Sequence, residues 1–220
     1  MLHFQFFVDD IAKKITISPV SQTRGKAEGR NQGSVTWLIV GLGNPGKRYE
    51  LSRHNMGFLV VDTVAQKEGI RWQRCEEGAV LGQGCMTGEP VVLAKPRTYM
   101  NRSGLAVERL ARAWDTPLDR LLVVHDDLDL DFGRIKISRR AGHGGHRGVE
   151  SIMERLGRDD FLRLRVGIGR PESPDDVVGY VLESFPPDQL SLLEECIGRA
   201  SEATRDIILL GPEKAMSKYH

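Results

Sequence analysis

The stretch Trp37 to Asn55, WLIVGLGNPGKRYELSRHN, constrains the fold more than any other. Trp37 to Val40 is a run of bulky and β-branched residues, as in a strand buried on both faces. It stops at Gly41-Leu42-Gly43-Asn44-Pro45-Gly46. Glycines there let the backbone turn sharply and come close to a neighbour. A polar loop then leads to Arg53-His54-Asn55, at the head of a new apolar pattern. Strand, Gly turn, then a His beside Asn residues is how a site is built at the carboxyl edge of a sheet. His54 is therefore the first candidate for an enzyme's working residue.

The rest of the chain alternates strands with helices. Asn55 to Glu68 carries Phe58, Val61, Val64 and Ala65 at helical spacing and stops at Gly69. Ala79 to Met86 and Pro90 to Ala94 read as two strands around Thr87-Gly88-Glu89. Asn101 or Ser103 can cap a helix that runs to about Trp114. Leu121 to His125 is a buried strand ending in Asp126-Asp127, and Gly133 to Ser138 a half-exposed one. After a second Gly-rich loop come a helix from Val149 to Leu156 and a strand from Leu162 to Ile168. A short helix, Asp175 to Leu182, and a long one, Gln189 to Leu210, close the pattern. Such alternation predicts an α/β three-layer sandwich: a twisted, mostly parallel mixed β-sheet flanked by helices. Residues 1–34, polar and Gly-rich after a short apolar start, read as an extension outside a single domain of 35–220. Asp9 and Asp10 interrupt that start too early for a signal peptide, and argue against a transit peptide.

The net charge of +1 points to no partner, but its distribution does. Asp131 to Arg170 holds ten Lys/Arg against five acids, leaving this stretch at +5 and the remainder at −4. A basic face of this kind suits a polyanion, of which nucleic acid is the commonest, or is simply a solvated surface. Cys75, Cys85 and Cys196 lack CxxC spacing and are odd in number, as expected in a reducing cytosol without disulfides or a zinc site. No apolar stretch approaches the roughly 18 residues of a membrane span.

GLGNPG satisfies the dinucleotide-binding pattern G-x-G-x-x-G, with Asp62 placed as a ribose-binding acid. The reading fails. KRYELSRHN is too short and polar for a crossover helix, and Phe58, Val61 and Ala65 put Asp62 inside a helix. Pro45 also removes an N–H that would face a pyrophosphate.

Three polar clusters stand at strand ends: Asn44 with His54 and Asn55; Tyr99-Met100-Asn101; and His125-Asp126-Asp127 with the loop around His143 and His146. A parallel sheet brings such ends to one crevice. Their contents suit an ester hydrolase whose nucleophile is water. His serves as general base near neutral pH, a carboxylate on its other nitrogen sets the tautomer, and Asn amides meet an oxyanion. Each residue also has a plainer use: His54 as a cap, Asp126 at a turn, Asn101 as an N-cap. HDDLDLD invites Mg²⁺ or Ca²⁺, but alternate strand residues face opposite ways. His143 and His146 lack a third zinc ligand at matching spacing.

Taken together, LIVGLGNPGKRYELSRHNMGF, KPRTYMNRSG, HDDLDLDFGRIKI, GHGGHRGVESI and RLRVGIGRP resemble the motifs of the bacterial-type peptidyl-tRNA hydrolase family, in order from about Trp37 to Leu210. The resemblance implies hydrolysis of the ester between a peptide and the 3′ ribose of tRNA, recycling tRNA from aborted translation. It implies a cytoplasmic monomer that meets the acceptor end of tRNA and the nascent peptide, with no cofactor, metal or membrane. His54 then matches the catalytic base, Asp126 its carboxylate, and Asn44 and Asn101 the residues that hold the peptide and polarise the carbonyl. Tyr49 and Met100 match crevice positions, Asn55 stands beside the base and His146 lies in the gate loop; with Asn101 and Arg147 these are the expected substrate contacts. Lys136, Arg139, Arg140 and Arg165 match the places expected to meet tRNA phosphates. One departure is Arg147, where the family's GGHNG pattern has Asn. Arg cannot accept a hydrogen bond but can meet a phosphate. The competing reading is a non-catalytic RNA-binding relative of the type that assists organellar intron splicing.

Overall fold

The computed structural model describes residues 36–220, so the expectation for the amino-terminal extension lies outside the described residues. Seven strands form one sheet in the order β2-β3-β4-β1-β5-β7-β6. They are β1 (Trp37–Gly41), β2 (Trp72–Glu76), β3 (Ala79–Met86), β4 (Glu89–Pro96), β5 (Leu121–Asp127), β6 (Ile135–Ser138) and β7 (Leu162–Gly167). The central strands β4, β1, β5 and β7 pair in parallel. β2 with β3, β3 with β4, and β6 with β7 are antiparallel. The sheet is thus mixed, parallel at its core and antiparallel at both edges.

The period of two along the strands sorts side chains into two cores. Trp37, Ile39, Leu122 and Val124 join one cluster with helix α1 (Met56–Lys67) and helix α5 (Leu190–Leu210). Leu38, Val40, Leu121 and Val123 join the other with helix α2 (Ser103–Ala113) and helix α3 (Arg147–Leu156). Two shorter helices are α4 (Val177–Leu182) and α6 (Pro212–Tyr219). The three layers follow from strands that are apolar on both faces, since each face needs a helical cover.

Two local expectations change and a third holds. β2 and α6 carry too few apolar residues in register to be read from sequence. Neither Asn101 nor Ser103 caps α2: Met100–Arg102 forms a 3₁₀ turn first, and Arg102 occupies the cap position with no side-chain bond. Asp62 lies in α1 and pairs with Lys95 Nζ at 2.5 Å, so the decoy acid is a structural ion pair. Burial pushes the Asp62 carboxyl up, against the opposing pull of Lys95.

The chain leaves β1 toward β2, β3 and β4, whereas β5 leads to β6 and β7 on the other side. The adjacent ends of β1 and β5 are therefore a switch point, where open α/β sheets carry their crevices. Backbone contact there is close. A Cβ on Gly57 would overlap Leu42 N and Val124 O, and one on Gly41 would overlap Gly57 O. The glycines thus let the start of α1 rest directly on the ends of both strands.

Candidate active site

His54 lies in a 3₁₀ turn, Arg53–Asn55, whose three residues are all buried. Asp126 is the sixth residue of β5, on the face that carries Val124 and meets α1. The turn and the strand end meet so that His54 Nδ1 lies 3.0 and 2.9 Å from the two Asp126 oxygens. A carboxylate accepts only from N–H, so the proton belongs on Nδ1 and the lone pair on Nε2. Burial disfavours the imidazolium, but the charge and hydrogen bond of Asp126 outweigh it, and the His54 pKa stands above its ordinary 6.5. Asp126, although buried, is held far below the usual carboxylate range by His54 and His146.

His146 was expected to touch substrate. Its ring lines the crevice, but both nitrogens are already engaged. Nδ1 accepts from Gly148 N at 3.1 Å and Val149 N at 3.3 Å, capping α3. That leaves Nε2 to donate to Asp126 Oδ1 at 2.9 Å. His146 therefore braces the carboxylate and closes the Gly-rich loop onto it, a bond that no local sequence signal could reveal. His125, on the opposite face of β5, is buried and edge-on to His146, with ring centroids 4.7 Å apart. Burial and His146 drive its pKa well below 6.5.

His54, Asp126 and His146 bring three ligand-type atoms within 4.8 Å of one another, but this set does not fit a metal. Both imidazole nitrogens that face the carboxylate carry protons, so neither offers a lone pair. The HDDLDLD run also disperses. Asp127 is ion-paired with Arg165, and Asp129 with Arg170 at 2.5 Å.

Asn44 is placed by the Gly turn after β1. Its Oδ1 accepts Met100 N–H at 2.9 Å, which leaves its NH₂ for the crevice that Asn44 lines. Asn55, expected to bind substrate, is instead a brace. Its Oδ1 accepts Asn44 N–H at 2.7 Å and its Nδ2 donates to Asn44 O at 3.1 Å. It is not among the lining residues, because those two bonds turn it toward the backbone. Tyr49 is likewise outside the lining; Arg48 stacks on its ring at 4.5 Å. Met100, Asn101 and Arg147 do line the crevice, a cleft of about 720 Å³. Tyr99 and the apolar side of α4 complete its walls, through Val177, Val178, Val181 and Leu182. The α4 wall was not anticipated: a six-residue helix gives too short a period to show its face.

The basic stretch splits into two kinds. Lys136 and Arg140 are exposed, and Arg139 is half-buried. Lys136 is the cross-strand partner of Arg165, so the two share a face. Arg165 is only 21% exposed at its side chain and its charge is offset by Asp127, which weakens its case as a phosphate contact. Arg163 is fully buried and structural. It donates to Gly142 O at 2.9 Å, to Ala141 O and to Asp159 O at 3.3 Å, anchoring the Gly-rich loop. Arg147 is 72% exposed and lies 3.3 Å from Glu150.

An imidazole aimed at a crevice by a buried carboxylate, with amide donors beside it and no Ser or Cys among the lining residues, is the geometry of a general-base hydrolase. The chain belongs to the peptidyl-tRNA hydrolase family, whose model matches residues 38–220. It is 44% identical over 184 residues to the peptidyl-tRNA hydrolase of Caldanaerobacter subterraneus subsp. tengcongensis, covering 84% of this chain and 99% of that one. It is 48% identical over 183 residues to that of Desulforudis audaxviator, covering 83% and 92%. The crystal structure of Acinetobacter baumannii peptidyl-tRNA hydrolase superposes with a TM-score of 0.79 at 37% identity, over 84% of this chain and 95% of that one.

Proposed function

We propose that this chain hydrolyses the ester between a peptide and the 3′ ribose of tRNA, with His54 as general base. The observation that carries the proposal is the Nδ1 pairing of His54 with both oxygens of Asp126, which leaves Nε2 as the proton acceptor. Nε2 takes a proton from water as the water oxygen attacks the ester carbonyl. The Asn44 amide and that of Asn101, next in the chain to the Met100 that Asn44 holds, donate to the oxyanion. Collapse breaks the bond to the ribose oxygen, which leaves with the proton held on His54. The peptide departs as a carboxylic acid and the tRNA with a free 3′ hydroxyl.

The exposed Lys136 and Arg140, with Arg139, meet tRNA phosphates without reading sequence, which suits an enzyme that accepts many tRNAs. Arg147, at the crevice mouth, adds a charge for the 3′ terminal nucleotide where the family's pattern has Asn. The enzyme acts as a monomer in the cytoplasm, with its three cysteines free. Among the described residues no helix is long and apolar enough to cross a membrane. The splicing-factor reading is disfavoured because an RNA-binding module has no use for a buried carboxylate held between two imidazoles. The deciding experiment is release of peptide from peptidyl-tRNA by wild type and by His54→Ala. No turnover by wild type would sink the enzyme.

A further inference from the structure

Arg53, the residue before His54, is a buried cation with no part in the proposed chemistry. Its side chain is 7% exposed, and its guanidinium goes to the α4 segment rather than to Asp126. Nη1 donates to Tyr180 O at 3.1 Å. The guanidinium carbon lies 4.1 Å from the Tyr180 ring centroid and 5.3 Å from that of Phe185. Glu183 is 3.7 Å away, with a side chain 67% exposed. The backbone continues the tie: Arg53 N donates to Glu183 O at 3.0 Å, and Ser52 bridges Ser184. Tyr180 in turn donates its hydroxyl to Ile168 O at 2.6 Å, just past β7.

α4 has six residues and, among its residues, only Val181 is buried, so its own packing holds it weakly. Yet Val177, Val178, Val181 and Leu182 form the apolar wall of the crevice. A planar cation stacked on an aromatic ring and bonded to a carbonyl fixes distance and orientation together, which a lysine does not. The same three-residue turn carries His54, so whatever Arg53 grips is held in register with the base.

We propose that Arg53 is a positioning residue for peptide recognition. It holds the α4 wall at a set distance from His54, so that an apolar side chain on the esterified amino acid packs beside the scissile bond. The proposal rests on the hydrolase reading and adds to it a determinant of substrate preference.

The test compares N-acetyl-phenylalanyl-tRNA with N-acetyl-glycyl-tRNA, using wild type, Arg53→Met and Arg53→Lys. Arg53→Met raises KM for the phenylalanyl ester about tenfold and for the glycyl ester less than about twofold, the scale of lost apolar contact in a pocket. The kcat values and the acidic limb of the pH profile stay in place. Arg53→Lys falls between. An equal rise in both KM values, a fall in kcat at unchanged KM, or a lowered Tm with unchanged kinetics overturns the proposal. Where Arg53→Met does not fold, Arg53→Lys carries the same comparison. Failure of the wild type to turn over either ester removes the hydrolase reading itself, a separate result.

Discussion

Asp126 and Asp127 are neighbours on one strand and have almost nothing else in common. Asp126 faces the α1 side, is 2% exposed, and lies between two imidazoles. Asp127 faces the other way, onto Arg165, and accepts Asp129 N–H at 2.8 Å. The strand's period of two sends them to different environments. In the dry one, a single charge sets a tautomer and raises a pKa, because little water screens it. In the wetter one, a carboxylate trims the charge of a basic face, whose proposed work is by summation. One centre depends on each atom, and the other on a count of charges.

The sharpest way to break that contrast is His54→Ala. It removes the base but leaves Asp126 bonded to His146, so the protein folds and kcat falls by about 10³ with KM little changed. A loss below about tenfold would move the base elsewhere. Asp126→Asn comes next, with a fall of about 10² to 10³ in kcat. It also carries a pH signature. His54 works neutral, so kcat/KM climbs with pH as the imidazolium is lost, through a midpoint above 6.5 because Asp126 raises it. Asparagine removes the charge, and the acidic limb moves to lower pH; an unmoved limb would assign it to another group.

Asp127→Asn should leave kcat within about threefold and tighten tRNA binding at low salt, since the Arg165 charge is no longer offset by a carboxylate. A loss as large as that of Asp126→Asn would erase the distinction between the two carboxylates. Lys136→Ala with Arg140→Ala lowers the slope of log KM against log salt by about one per contact, while Arg165→Ala lowers it less. The smallest effect is that of Arg147→Asn, a rise in KM of about twofold to fivefold at unchanged kcat, as for an exposed charge. A change confined to kcat would remove Arg147 from tRNA binding and place it in the chemical step.

Much of the architecture was legible because it rests on local pattern. Apolar runs at Trp37 to Val40 and Leu121 to Val124 predicted buried strands, and each forms. The pairing of His54 with Asp126 followed from the family resemblance, not from spacing, since 72 residues separate them. Sequence was silent where partners decide. Asn55 and Tyr49 had the right chemistry beside the right motif, yet Asn55 was claimed by Asn44 and Tyr49 by Arg48. Arg163 and Arg165 counted equally toward a basic run, and the structure buries one and pairs the other.

By itself, the sequence determined the alternation of strands and helices, the glycine turn after β1, and the stock of His, Asp and Asn at strand ends. These depend on backbone preference and period, which act over a few residues. Only the tertiary structure decided that His146 braces Asp126, that Asn55 holds Asn44, and that Arg53 ties α4 to the turn of the base. Each of those roles depends on which donor reaches a buried acceptor first, and that is a property of three-dimensional proximity.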